Sequence, residues 1–337
     1  MPTLPALDVF QVGIQSAFGT AVPATARLAV PEVVFRETGV KVAPRIAGKT
    51  LAMRNRGNEF VAQKGTDWLI NNAPFCYEQF QVWLANAVAG GVTAVGASAP
   101  FTWTYTRDPA ADPDPDPLTL ERRVSDFGGN VDIEVADCFT RRLGLMYSEN
   151  DGLRFSVDGF GRAVDDGSTL TGSQTLPTPE FAPSALLELY LNNAWADLGD
   201  TQLTEQVIGM EWDFFTGFAP RMTADGRATL DYTLRLLNAE EVRMRLSLTL
   251  LMDRTRYATE QAAAQAQTLR AIRATIAGTS SRALTWDGLF KYTSPDILEL
   301  GMQDGQHVVQ VELEETTDGT NFFEAVLVNA TDAPDGV

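Results

Sequence analysis

Residues Val242 to Met252 read VRMRLSLTLLM, and the spacing within them decides the fold class. Val242, Met244, Leu246, Leu248, Leu250 and Met252 fall on every second position, with Arg243, Arg245, Ser247 and Thr249 between them. Side chains alternate across a strand, so this period gives one segment an apolar and a polar face. It is the longest unbroken period-two signal in the chain, and it predicts the central strand of a core sheet. A helix signal follows directly. Asp253 or Thr255 can cap it, and Ala258, Ala262, Gln265, Leu269, Ile272 and Ile276 step by four and three. Arg270 and Arg273 suit its C-terminal end, so the expectation is one helix over 254–277, closed by Gly278.

Further strand signals lie on both sides. FTWTYT at 101–106 alternates aromatic residues with threonine. Apolar positions recur at 118–124, 131–135, 143–147 and 153–157, with Glu149-Asn150-Asp151-Gly152 as a turn between the last two. Segments 185–191, 207–215, 228–236 and 284–286 read the same way. Segments 306–314 and 322–328 suggest a closing hairpin turned at Asp318-Gly319. A second helix is expected over 73–89. Asn72 can cap it, Pro74 suits its first turn, and Cys76, Phe80, Trp83, Leu84, Ala87 and Val88 share a stripe. The pattern predicts a mainly β (α+β) chain, a β-sandwich or barrel with two helices and long extended arms. We read one domain, with an N-terminal arm at 1–30, a basic loop or arm at 36–72, a core at 73–330 and a polar tail at 331–337.

Charge is distributed unevenly. The chain has a formal net charge of −18, which argues against binding nucleic acid by neutralising phosphates. Yet residues 36–72 hold Arg36, Lys41, Arg45, Lys49, Arg54, Arg56 and Lys64 against three acids. A structureless loop of that length is uncommon in a compact domain, so it is read as a docking arm or as a solvated loop. Residues 108–137 carry nine acidic and two basic groups. Within them Asp112, Asp114, Asp116, Asp132 and Glu134 are candidates for the arm's partner surface on another copy.

Signals for chemistry are weak. The one histidine, His307, would have to serve any triad, dyad or histidine metal site. Asp112, Asp114 and Asp116 have calcium-loop spacing but lack the glycine and closing glutamate of such a loop. No Gly-rich nucleotide motif, HExxH, GxSxG or CxxC occurs, so no cofactor or metal is expected. Pairs such as Asp165-Asp166 and Glu314-Glu315 leave a β-sandwich glycoside hydrolase as a minor alternative. Cys76 is expected as a buried free thiol, and Cys138 leaves a disulfide open. Met1 to Val12 has neither a basic residue nor an apolar run, so no secretory signal is expected there.

The order of these features resembles a known family. The carrying segments are VGIQSAFGTAVPAT at 12–25, the helix at 73–89 and FTWTYT at 101–106. LTLE at 118–121, VADCFTRRLGL at 135–145, DGLRFSVDGFG at 151–161 and the 226–252 region follow in order. Together they resemble the tail tube (major tail) proteins of long, non-contractile-tailed bacteriophages. The Pro/Asp loop at 108–117 and the 254–277 helix depart from that pattern. The resemblance implies a non-enzymatic virion protein, made in the host cytoplasm, that forms hexameric rings stacked head to tail. It implies an acidic channel that conducts DNA without specific binding. Implied partners are other copies, a tape-measure protein and tail terminator or baseplate proteins, with no membrane. A baseplate or capsid-decoration protein of the same β class is the alternative.

Overall fold

The computed structural model describes residues 8–42, 60–88, 95–96, 98–107, 114–126, 129–149, 151–174, 176, 178–182, 186–223, 231–232, 234–279 and 281–331. The chain runs β1 (Val9–Ile14), β2 (Ala26–Arg27), β3 (Val34–Val42), β4 (Phe60–Pro74), α1 (Tyr77–Ala87), β5 (Phe101–Arg107), β6 (Leu118–Asp126), β7 (Gly129–Ser148) and β8 (Gly152–Gly161). It continues through β9 (Leu187–Asn192), β10 (Val207–Arg221), β11 (Leu234–Met252), α2 (Arg254–Gln265), β12 (Arg270–Ala277), β13 (Ala283–Tyr292), β14 (Leu298–Gln303), β15 (Gln306–Glu315) and β16 (Phe323–Asn329). The protein is mainly β, with two α-helices among the described residues.

β11 is an interior strand, paired to β10 on one side and β15 on the other. Met244, Leu246, Leu248, Leu250 and Met252 are all buried, as the period requires. Outward from β11 the antiparallel pairs build one eight-stranded run, β3-β4-β8-β7-β10-β11-β15-β14. A second layer, β9-β12-β13-β16-β5, joins the first where Phe290–Tyr292 of β13 pair with Leu313–Glu315 of β15. The layers meet through aromatic rings. Trp212 of β10 lies 6.2 Å from Trp286 and 5.1 Å from Phe290 of β13, and Phe214 lies 4.9 Å from Phe323. Helix α1 is buried nearly all round because it fills the space between the layers. Its Phe80 touches Phe155 of β8 at 5.6 Å and Trp286 at 5.7 Å.

The structure revises several expectations. The N-terminal segment from Val9 is not a detached arm: β1 pairs along its whole length with β6, and Phe10 and Val12 are buried. Of segment 36–72, the described residues 36–42 and 60–72 are strand and not loop. Its ends form the β3–β4 hairpin, and Trp68 and Ile70 reach the core. The helix expected at 73–89 begins at Tyr77, because β4 runs on to Pro74 and Cys76 takes the N-cap position. Asn72 adopts a φ of 52° at a register shift of β4 and does not cap the helix. The helix expected over 254–277 stops at Gln265. Gln267 has a φ of 52°, and Ile272, Ala274 and Ile276 then form the buried face of β12 with period two. Two isoleucines spaced by four satisfy either period, and the β-branched residues settle on the sheet. Segments 131–135 and 143–147 belong to the single strand β7, which changes partner near Asp137 at a φ of 51°. β15 and β16 do not form a hairpin with each other. Both line the same side of β13, and the hairpin is β14–β15, turned at Asp304-Gly305.

Candidate assembly surface

The eight-stranded run has two free ends. Among the described residues β3 pairs only with β4, and β14 pairs only with β15. Unpaired strand edges present rows of backbone donors and acceptors and invite another strand. Both edges also expose apolar side chains. On β14, Leu298 is 57%, Leu300 53% and Met302 64% exposed. On β3, Val34 and Val40 are exposed, and Val34 stands opposite exposed Leu69 of β4. Such a concentration on edge strands differs from the scattered exposed apolar residues of an ordinary surface.

Between these ends the outward face is a charged lattice. Arg245 lies between Asp213 of β10 and Glu314 of β15, and Ser247 lies between Glu211 and Glu312. Arg142 on β7 places its Nε 3.4 Å from Asp158 and 3.5 Å from Asp213. Arg141 pairs with Asp67 at 2.8 Å. One guanidinium thus serves two carboxylates, and burial pushes Asp213 up to about 6 against the pull of Arg142. Burial raises Asp158 as well. The polar half of the β11 period marked this face, but the acids opposite it were legible only after strand pairing was known.

The structure separates the residues singled out by charge. Arg36 and Lys64 are exposed on the β3–β4 hairpin, and Lys41 lies on β3. Arg45, Lys49, Arg54 and Arg56 lie outside the described residues, as does Asp112. Asp114 pairs with Arg235 at 3.2 Å. Asp116 is exposed; partial burial of its carboxylate and the nearby Asp114 raise its pKa. Asp132 receives two hydrogen bonds from Arg123, at 2.6 and 2.7 Å, which hold its carboxyl down at about 2. Glu134 is raised by burial and by Glu121 and Asp165. No ion pair joins the basic set to the acidic set among the described residues. Asp114 and Asp132 already spend charge within the chain, so they make a weaker partner surface than composition suggests.

The histidine and the two cysteines are held within the fold. His307 lies on β15, 2.6 Å from Glu299 and stacked on Tyr257. Cys76 and Cys138 are free and buried. Among the described residues no group of three His, Cys, Asp or Glu side chains is placed to hold a metal, and no helix is long and apolar enough to cross a membrane. No protein-family model matches the chain, and no curated protein matches it.

Proposed function

We propose that this chain is a structural subunit that joins copies of itself into rings, and that the rings stack as a phage tail tube. The observation that carries this reading is the pair of free ends on the eight-stranded run. All its pairings are antiparallel, and the strand count is even, so β3 and β14 run in opposite directions. A copy related by rotation about a ring axis can then set its β3 antiparallel to β14 of its neighbour. This is a head-to-tail contact, which closes when the rotation closes. Leu298, the first residue of β14, sits in the row of Gly209 on β10, whereas Val34, the first residue of β3, sits in the row of Phe215. That offset of six residues along β10, roughly 20 Å, resembles the stagger that a closed barrel needs.

Charge supports the same pairing. β3 carries Arg36 and Lys41 against the single acid Glu37, and β14 carries Glu299 between Asp296 and Asp304. A net charge of −18 suits a channel that repels phosphate and lets DNA pass. Six copies per ring, a tape-measure partner and a virion location follow from the family resemblance, and they belong to the same proposal. Negative-stain microscopy of the purified full chain across concentration and salt tests it. Tubes or stacked rings with a central hole are the expected result. Closed rings that never stack point to a baseplate or decoration role instead. A monomer under every condition overturns the self-assembly reading.

A further inference from the structure

A cleft of about 550 Å3 opens where the end of β9, the 195–201 segment and the first turns of α2 meet. Its floor is a buried polar cluster. Arg270 Nη2 donates to Glu260 at 2.7 Å, Arg270 Nε donates to the Tyr292 hydroxyl at 2.8 Å, and that hydroxyl donates to Glu260 at 2.6 Å. Arg270 Nη1 donates to Asn193 Oδ1. These groups satisfy one another, so the floor is fixed before anything enters. Asn193 is thereby oriented with its amide nitrogen left to donate elsewhere.

Asn192 differs from its neighbours. It lines the cleft and is only 6% exposed, yet its Oδ1 has no hydrogen-bond partner among the described residues. An unpaired buried acceptor costs about 1–3 kcal/mol and calls for a donor from outside the chain. The walls narrow the chemistry of that donor. Asp197 and Asp200 add acceptors, Arg256 adds a donor, and the Thr255 hydroxyl can do either. Leu191 is the one apolar residue among the described lining, which disfavours a lipid or aromatic ligand. Four acids against Arg256 and Arg270 repel a phosphorylated one. Mixed donors and acceptors around a small-molecule volume suit groups that donate and accept at once, which are hydroxyls.

The geometry points to a neutral, hydroxyl-rich ligand, a saccharide of one or two residues, bound in this cleft between Asn192, Asn193 and Asp200. The site is independent of the free sheet ends, so it stands or falls apart from the assembly reading. The test is saturation-transfer NMR on the full chain with glucose, galactose, N-acetylglucosamine, maltose and lactose. Spermidine and inorganic phosphate serve as contrasts. At least one saccharide is expected to bind, with a dissociation constant near about 1 mM. Asp200→Ala and Asn193→Ala, both at exposed positions, should each weaken that binding about tenfold with an unchanged circular dichroism spectrum. No saccharide binding, binding unchanged in both variants, or binding of spermidine or phosphate in their place overturns the inference.

Discussion

The carboxylate of Asp213 occupies the space that a side chain at Gly144 would need: a Cβ built there would lie 2.6 Å from Asp213 Oδ1. The two residues face each other across β7 and β10, and Asp213 is 8% exposed. Its pKa of about 6 lies above the ordinary 3.8, so the native state takes up this proton more readily than the unfolded chain does. Ionised Asp213 therefore costs stability. The cost is absent below about pH 4, grows as pH rises towards 6 and is complete above it. Asp213→Asn should raise stability by about 1–2 kcal/mol at pH 7.5 and by nothing measurable at pH 4. Urea midpoints at the two pH values check this; a gain of equal size at both would show that the carboxylate's charge is not the cause. Gly144→Ala should cost about 1–3 kcal/mol at either pH by forcing the carboxylate aside.

Arg273 donates to both oxygens of Asp287, at 2.8 and 2.7 Å, across the β12–β13 pair. Asp287 is 1% exposed, and burial raises its carboxyl even with the arginine present. Arg273→Met leaves that carboxylate buried without its cation. We expect a loss of about 3 kcal/mol at neutral pH, shrinking on acidification as Asp287 takes a proton. Arg273→Met combined with Asp287→Leu should recover much of the loss. Chemical denaturation of the two variants checks this, and a double variant no more stable than the single one would assign the loss to packing.

The strands were legible wherever one period ruled. β5 and the 244–252 part of β11 bury every second side chain and leave those between them at least partly exposed, and their spacing said so. What escaped was residue spacing that fits two periods, as with Ile272 and Ile276, and strands without a buried face. β14, with the sequence LELGMQ, does alternate, with Leu298, Leu300 and Met302 on every second position, but the run is short and these residues face solvent, so its period marks no buried face. Pairing was the other blind spot. Nothing local says that β15 and β16 lie beside β13 and not beside each other, since that is settled by contacts distant in sequence. For the same reason the charged lattice around Arg142 and the Asn192 cleft were invisible. Each is assembled from three or more separate segments.

Both thiols should be inert in the folded chain. Burial and the neighbouring Glu78 push Cys76 up to about 12, and Cys138, fully enclosed, is raised well above its ordinary value by burial and Asp137. The thiolate is the reactive form, so neither should react with Ellman's reagent at pH 8. Adding denaturant should release two equivalents. A rapid equivalent from the native protein would place one of these cysteines at the surface.

Lysine at the β14 edge should separate folding from assembly. Leu300 and Met302 are more than half exposed, so Leu300→Lys with Met302→Lys removes little burial and should shift stability by no more than about 0.5 kcal/mol. Lysine on an edge strand discourages a second strand from pairing there, and two would add positive charge against Arg36 of an incoming β3. The double variant should keep the circular dichroism and melting temperature of the parent chain yet sediment as a monomer at every concentration where the proposal has the parent form rings. The comparison is made by velocity sedimentation and microscopy on matched samples. Rings of unchanged size from the variant would remove β14 from the interface while leaving self-assembly intact.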